Sequence, residues 1–203
     1  METLLRLFPS TLSPDVHVRR ASEQELHQLE SQPGMLAASF QLVASPEVDT
    51  SIRQAAAIYV KNRISRTWDA SLARGFSDAP SAVSDQDKEV VRSGLLPTIA
   101  SLPPTLRVHI ASAMYSIVRC DFPQAWPTLT EEIVKVLSSG EQLQIFAGVR
   151  ALLELVRAFR FDCTDSKLES IVSHTFPTLL ATVSALMDSD HSDLPAVGEI
   201  VYY

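Results

Sequence analysis

Residues 49–68 read DTSIRQAAAIYVKNRISRTW, and this stretch decides the fold. Wound as a helix, its middle is apolar almost all round. Ile52, Ala55, Ala56, Tyr59 and Val60 make one broad face, Ala57 and Ile64 widen it, and Ile58 adds contact on another side. The polar gap is a narrow stripe of Gln54, Lys61 and Ser65, at i, i+7 and i+11. Such a helix must be sandwiched between neighbours with one edge left wet. Its three consecutive alanines allow backbones to approach closely, as in the inner-layer helix of an α-solenoid, where each helix packs on the one before and the one after.

Outward from this helix, the rest of the chain repeats the theme. Upstream, Leu4, Leu5, Leu7, Phe8 and Leu12 predict a short helix disturbed at Pro9. Ser13-Pro14-Asp15 is a turn able to cap a polar helix over about 15–32, with Val18, Ala21, Leu26 and Leu29 as its apolar positions. Pro33-Gly34 ends it, and a short helix over 35–44 buries Leu36, Ala37, Phe40 and Val43. Downstream, Asp69 to Val83 reads as an exposed loop. Ser84 to Asp87 starts a helix over about 85–101, which Pro97 should bend. A helix over about 105–120 shows a polar stripe of His109, Ser112, Ser116 and Arg119. Thr128-Leu129-Thr130-Glu131 has the spacing of a capping box for a helix to Leu137. The helix over 141–161 carries Arg150, Glu154 and Arg157 on its polar side, where they can pair weakly. Asp165-Ser166 caps a last long helix to about Met187, bent near Pro177, and Ile200 to Tyr203 resembles the opening of another.

The helices therefore come in antiparallel pairs: about 3–12 with 15–32, 35–44 with 48–67, 85–101 with 105–120, and 128–138 with 141–161. Their recurrence at about 35–45 residues predicts an all-α solenoid of HEAT-type repeats, a right-handed superhelix with no sheet. Composition agrees. The chain is 46% hydrophobic and 20% charged, enough for a substantial core, and its six glycines are too few for an all-β chain.

Charge and chemistry narrow the function. Seventeen basic against 24 acidic residues give a net charge of −7, which argues against a nucleic-acid partner. Cys120 and Cys163 show no metal spacing and read as free buried thiols. No uninterrupted apolar run reaches about 18 residues, so no membrane span is expected. The opening METLLRLFPSTL is too short and mixed for a signal peptide, which places the chain by default in cytosol or nucleus. No Gly-rich phosphate loop or zinc-spaced Cys/His cluster is present, and the five histidines are scattered. His109 reads as solvated, and Asp188, Asp190, His191 and Asp193 as a loop rather than a metal site. No catalytic constellation, metal or cofactor is expected.

The residues also form an ordered set of words. Arg20-Ala21-Ser22-Glu23-Gln24-Glu25-Leu26, Pro33-Gly34-Met35, Ile52-Arg53-Gln54-Ala55-Ala56, Tyr59-Val60-Lys61-Asn62 and Trp68 together resemble the N-terminal domain of the importin-β, or karyopherin, family. Val60 stands where that family more often has Leu. Asp121-Phe122-Pro123 with Trp126-Pro127-Thr128-Leu129, and the run Ala151 to Phe161, are most similar to the importin-seven and importin-eight branch.

The resemblance implies an N-terminal fragment of a nuclear transport receptor. Its divisions would be an importin N-terminal region over about 20–100, further HEAT repeats to about 187, and a truncated repeat over 188–203. In that family the N-terminal repeats bind the small GTPase Ran in its GTP state through inner-face helices. Import receptors release cargo when Ran-GTP binds in the nucleus. Phe-Gly nucleoporins and cargo use mainly other parts of the receptor, and the protein shuttles between cytoplasm and nucleus through the pore. On this reading Gln54, Lys61, Asn62 and Ser65 are the Ran-facing candidates, with Asn62 equally able to bond a neighbouring loop. Arg20 and Arg53 are expected to tie repeats together through helix ends, and Trp68 and Trp126 to pack between helices. The alternative is a HEAT scaffold whose partner is another protein.

Overall fold

A computed structural model describes residues 1–69, 82–161 and 166–188. Among them are nine α-helices and no strand: α1 Glu2–Thr11, α2 Val16–Leu29, α3 Met35–Ala44, α4 Thr50–Thr67, α5 Asp85–Ser101, α6 Pro104–Asp121, α7 Leu129–Leu137, α8 Gln142–Phe159 and α9 Lys167–Asp188. The short connections turn the chain back on itself, so α1 packs on α2, α3 on α4 and α7 on α8.

Local chemistry sets most boundaries. Asp15 accepts a hydrogen bond from the His17 N–H at 2.8 Å, and Asp49 one from the Ser51 N–H at 2.8 Å, each satisfying a donor of a first turn. The Ser51 hydrogen bonds hold the Asp49 carboxyl below its usual range. Gly34 takes a left-handed φ of 85° at the start of α3, a conformation that favours glycine. It has no side chain to cap with, and Asp87 does so from a distance, accepting from the N–H groups of Gly34 (3.1 Å) and Ala37 (3.2 Å). Ser84 and Asp87 also bond reciprocally at the start of α5. The capping box expected at Thr128 does not form. Its hydroxyl is drawn instead to Glu132 Oε1 at 2.6 Å, which also accepts from Trp126 Nε1 at 3.2 Å. Pro9, Pro97 and Pro177 lie within α1, α5 and α9 without ending them.

The chain divides into two compact units. The first comprises Met1–Leu95 with Leu102–Ala113, the second Leu96–Ser101 with the residues from Met114 onward, so α5 and α6 contribute to both. In the first unit α4 is central, packed by both α1 and α3. Ala56, Ala57, Val60 and Ile64 are fully buried, while Ala55 and Tyr59 are half-buried. Ile58, expected to make a contact, is 38% exposed and widens the wet strip. Replacing Ala56 by Leu should overpack this sandwich and lower stability by about 1–3 kcal/mol in urea unfolding. A cost near zero would mean that the neighbours of α4 are loosely fitted. Close approach recurs at Gly94, where a Cβ would come within 2.6 Å of the Phe40 ring.

On α2 the expected inward face is partly wrong. Val18 and Ala21 are exposed, and the inward positions after them are Ser22, Leu26 and Glu30. Ser22 can be buried because its hydroxyl bonds the Val18 carbonyl at 2.9 Å, and Glu30 because arginines meet it. Val83, placed by the sequence at the end of an exposed loop, is buried, with its N–H on the Thr67 carbonyl at 3.4 Å.

In the second unit α7, α8 and α9 pack on one another. Gly148 lets α8 approach α7, since a Cβ there would come within 2.9 Å of both Val136 and Leu137. Glu154, assigned to the polar side of α8, is buried instead, with Arg150 at 2.9 Å and Arg157 at 3.4 Å. Burial raises its pKa against the opposing pull of both arginines. Helix α9 buries only Ile171, Thr175 and Leu186, leaving Leu180 and Met187 exposed. By length and composition alone α9 is apolar enough to cross a membrane, although Ser and Thr residues keep it from being an uninterrupted apolar run. Cys120 is half-buried. Cys163, the Asp165 cap, residues 70–81 of the expected loop, the residues of the acidic cluster beyond Asp188, and Ile200 to Tyr203 lie outside the described residues.

Candidate partner-binding face

All four partner-facing candidates lie on α4, whose polar positions recur at helical spacing. Gln54, Asn62 and Ser65 are exposed, and Lys61 is half-buried at one edge of their strip. The strip is broader than the sequence predicts, for it also includes Ser51, Ile58 and Arg66. It is thus a polar surface with an aliphatic side chain near its middle. Ser65 and Arg66 both donate to the Asn62 carbonyl, at 3.1 Å each, which steadies the last turns. Lys61 lies on the side toward α6. Its charge, after burial, holds the His109 pKa below the usual histidine value. His109 is therefore half-buried and neutral near pH 7 rather than simply solvated.

Beneath the strip is an ionic cluster that the sequence reading missed. The Glu30 side chain is almost fully buried. Arg63, only 2% exposed, holds its carboxylate at 4.0 Å and donates to the Glu30 carbonyl at 3.0 Å and to Thr67 Oγ1 at 2.6 Å. Arg66 at 3.8 Å and His27 at 3.2 Å close the carboxylate from the rim. Tyr59 packs edge-on against Phe8 with ring centroids 5.6 Å apart. Its hydroxyl is buried with no hydrogen bond of ordinary geometry, and burial together with the Glu30 charge raises its pKa. The signal available in sequence was the polar tail of α2 just before Pro33-Gly34, facing an Arg-rich end of α4, but no local rule pairs residues 33 apart.

The remaining candidates divide. Arg53 is buried and donates from Nε to the Val43 carbonyl at 2.9 Å, closing the last turn of α3. Arg20 is exposed on α2, and it is its neighbour Arg19 that bonds the Ser13 carbonyl at 3.0 Å. Trp68 is buried beneath Lys88, whose Nζ lies 5.8 Å from a ring centroid. Trp126 is buried with its Nε1 on Glu132. Among the described residues no group of three or more His, Cys, Asp or Glu is placed to hold a metal. The strip offers charge, amides and hydroxyls for recognition.

Comparison with known proteins bears on what is recognised. Residues 22–101, which include α4, match the importin-beta N-terminal domain. The chain is 28% identical to an importin beta-like SAD2 homolog of Arabidopsis thaliana over 94% of its own length and 18% of the relative's. It is 28% identical to a probable importin-7 homolog of Dictyostelium discoideum, over 90% and 17%, and 29% identical to exportin-2 of Oreochromis niloticus, over 92% and 18%. The chain spans about a fifth of the length of these relatives. Among solved structures, the exportin Cse1 in its cargo-free, cytoplasmic state superposes with a TM-score of 0.80 at 23% identity, over 98% of this chain and 21% of that one. Kap95p, in a structure described as inducing the switch loops of RanGDP to adopt the GTP-bound conformation, gives 0.57 at 19% identity, over 100% and 25%. These likenesses identify the helix pairs as those of a HEAT-type α-solenoid, and residues 22–101 are where the chain is similar to the importin-beta N-terminal domain.

Proposed function

We propose that this chain is the N-terminal part of a nuclear transport receptor and that the exposed strip of α4 binds Ran in its GTP state. The observation that carries the reading is the importin-beta N-terminal domain over residues 22–101, with α4 presenting Gln54, Lys61, Asn62 and Ser65 from its otherwise packed body. The Kap95p structure, described with RanGDP, supports the choice of partner. Lys61 offers a cation to an acidic or carbonyl-rich surface, and the amides and hydroxyl add hydrogen bonds. The role is recognition rather than catalysis, with shuttling between cytoplasm and nucleus, and with Phe-Gly nucleoporins and cargo bound mainly by further repeats.

The test is Lys61→Glu. Surface substitutions usually change stability by within about 0.5 kcal/mol, so helicity and melting should hold. Ran-GTP binding should weaken, with slower association and a smaller deficit at high salt, because a like charge adds repulsion that salt screens. His109 should titrate higher in the variant, since a carboxylate replaces the cation that depresses it. Arg20→Glu, the same kind of charge reversal at an exposed position of α2, is the control, expected to have a smaller effect. Equal Ran-GTP affinity in wild type and Lys61→Glu, with the His109 shift present, would remove Lys61 from the binding face.

Two other readings have their own discriminants. Indifference of binding to the nucleotide on Ran would favour a scaffold for another protein. The likeness to exportin-2 and to the exportin Cse1 supports an export receptor, which a failure of Ran-GTP to release cargo would favour over import.

A further inference from the structure

Two aliphatic side chains of the first unit stay in water although polar residues surround them. Ile58 on α4 is 38% exposed and Val108 on α6 is 52% exposed. Neither hydration nor helix formation favours them there. An aliphatic group gains nothing from water, and branching at Cβ makes Ile and Val poorer helix formers than Leu, Gln or Lys.

A single exposed aliphatic needs no explanation by itself. The placement of Ile58 is what calls for one. It stands at the middle of the α4 strip, with Gln54 at i−4, Asn62 at i+4, Ser51 at i−7 and Ser65 at i+7, all exposed. Helical spacing puts these four on its face, two on either side. They are uncharged hydrogen-bonding groups, and the cation Lys61 stands at the edge. Val108 is set in the same way on α6, between the exposed Thr105 at i−3 and Ser112 at i+4. The two strips adjoin. Lys61, one turn beyond Ile58, lies near enough to His109, the residue after Val108, for its charge to act on the imidazole.

An apolar centre inside a polar ring is the layout of a protein interface, where a few central side chains carry most of the energy and the ring keeps water from them. A side chain branched at Cβ also has few rotamers to lose when it is covered. We infer, resting on the Ran reading above, that Ile58 with Val108 forms the dry centre of that interface, onto which the partner lays an apolar side chain. Lys61 then governs encounter, and the aliphatic centre governs how long the complex lasts.

The test is the binding of the full 203-residue chain to surface-immobilised Ran-GTP. Ile58→Gln should speed dissociation on the order of tenfold and leave association nearly unchanged. Its deficit should persist at high salt, whereas that of Lys61→Glu should shrink, because salt screens charge and not apolar contact. Ile58→Met, still apolar and a good helix former, should keep most of the affinity. Val108→Thr, the same shape with a hydroxyl, should speed dissociation less but in the same salt-resistant way. It also supplies the readout if circular dichroism shows that Ile58→Gln disturbs folding. Leu5→Gln is the control. Leu5 is 40% exposed, but on α1, which packs on α4 by way of Phe8 and Tyr59. Its change should leave binding as it was. If wild type binds Ran-GTP and neither Ile58→Gln nor Val108→Thr alters dissociation, the dry centre is overturned and the Ran reading stands. If wild type does not bind Ran-GTP, both fall. A concentration-dependent dimer in sedimentation, lost in Ile58→Gln, would overturn the inference by giving the patch to a second copy of the chain.

Discussion

Replacing Arg63 by alanine is expected to lower unfolding stability by about 3–5 kcal/mol, since it strips the main partner from a buried charge. Glu30 would keep Arg66 and His27, but both approach from the exposed rim. The Glu30 carbonyl would lose its 3.0 Å donor and Thr67 Oγ1 its 2.6 Å one. Lysine at 63 should recover only part of the loss, because one ammonium cannot reproduce a fork that spans a carboxylate, a carbonyl and a hydroxyl. The double change Glu30→Met with Arg63→Met should be milder than Arg63→Ala, because it leaves no unpaired ion. Urea midpoints with unchanged slopes measure all three. A cost below about 1 kcal/mol for Arg63→Ala would show that the cluster is bridged by water or rearranges cheaply.

Replacing Asp87 by alanine should cost about 3 kcal/mol, because one carboxylate serves two helix starts and charged hydrogen bonds contribute about 1.5–3 kcal/mol each before relaxation. The N–H groups of Gly34 and Ala37 would lose their acceptor, and Ser84 its reciprocal partner. Gly34 cannot compensate, having no side chain. Asparagine at 87 keeps one acceptor oxygen and should cost roughly 1 kcal/mol. Hydrogen exchange should localise the loss: the first turn of α3 should lose protection even though the substitution lies about 50 residues away in sequence. Loss confined to α5 would mean that the cap on α3 contributes little.

Asp87 and Glu30 also mark what could be read without coordinates. The apolar period of 3.6 residues, the Pro and Gly stops, and the cap at Asp15 locate the nine described helices to within a few residues. The family words between Arg20 and Trp68 are legible too, because they lie on two pairs whose boundaries the sequence marks clearly. The four candidates on α4 are on a real exposed strip, yet its width and its aliphatic middle at Ile58 were not legible. Ile58 is apolar, and nothing local says that no neighbouring helix covers it.

The sequence by itself determined that this chain is a series of paired helices with a tightly sandwiched α4, because helical periodicity and turn chemistry act over a few residues. Tertiary structure alone decided which polar groups turn inward. Glu30, Arg63, Asp87 and Glu154 are buried, while Val18, Ala21 and Ile58 are not. A charge can leave water only where its partner already stands, and for Glu30 and Asp87 that partner lies tens of residues away along the chain.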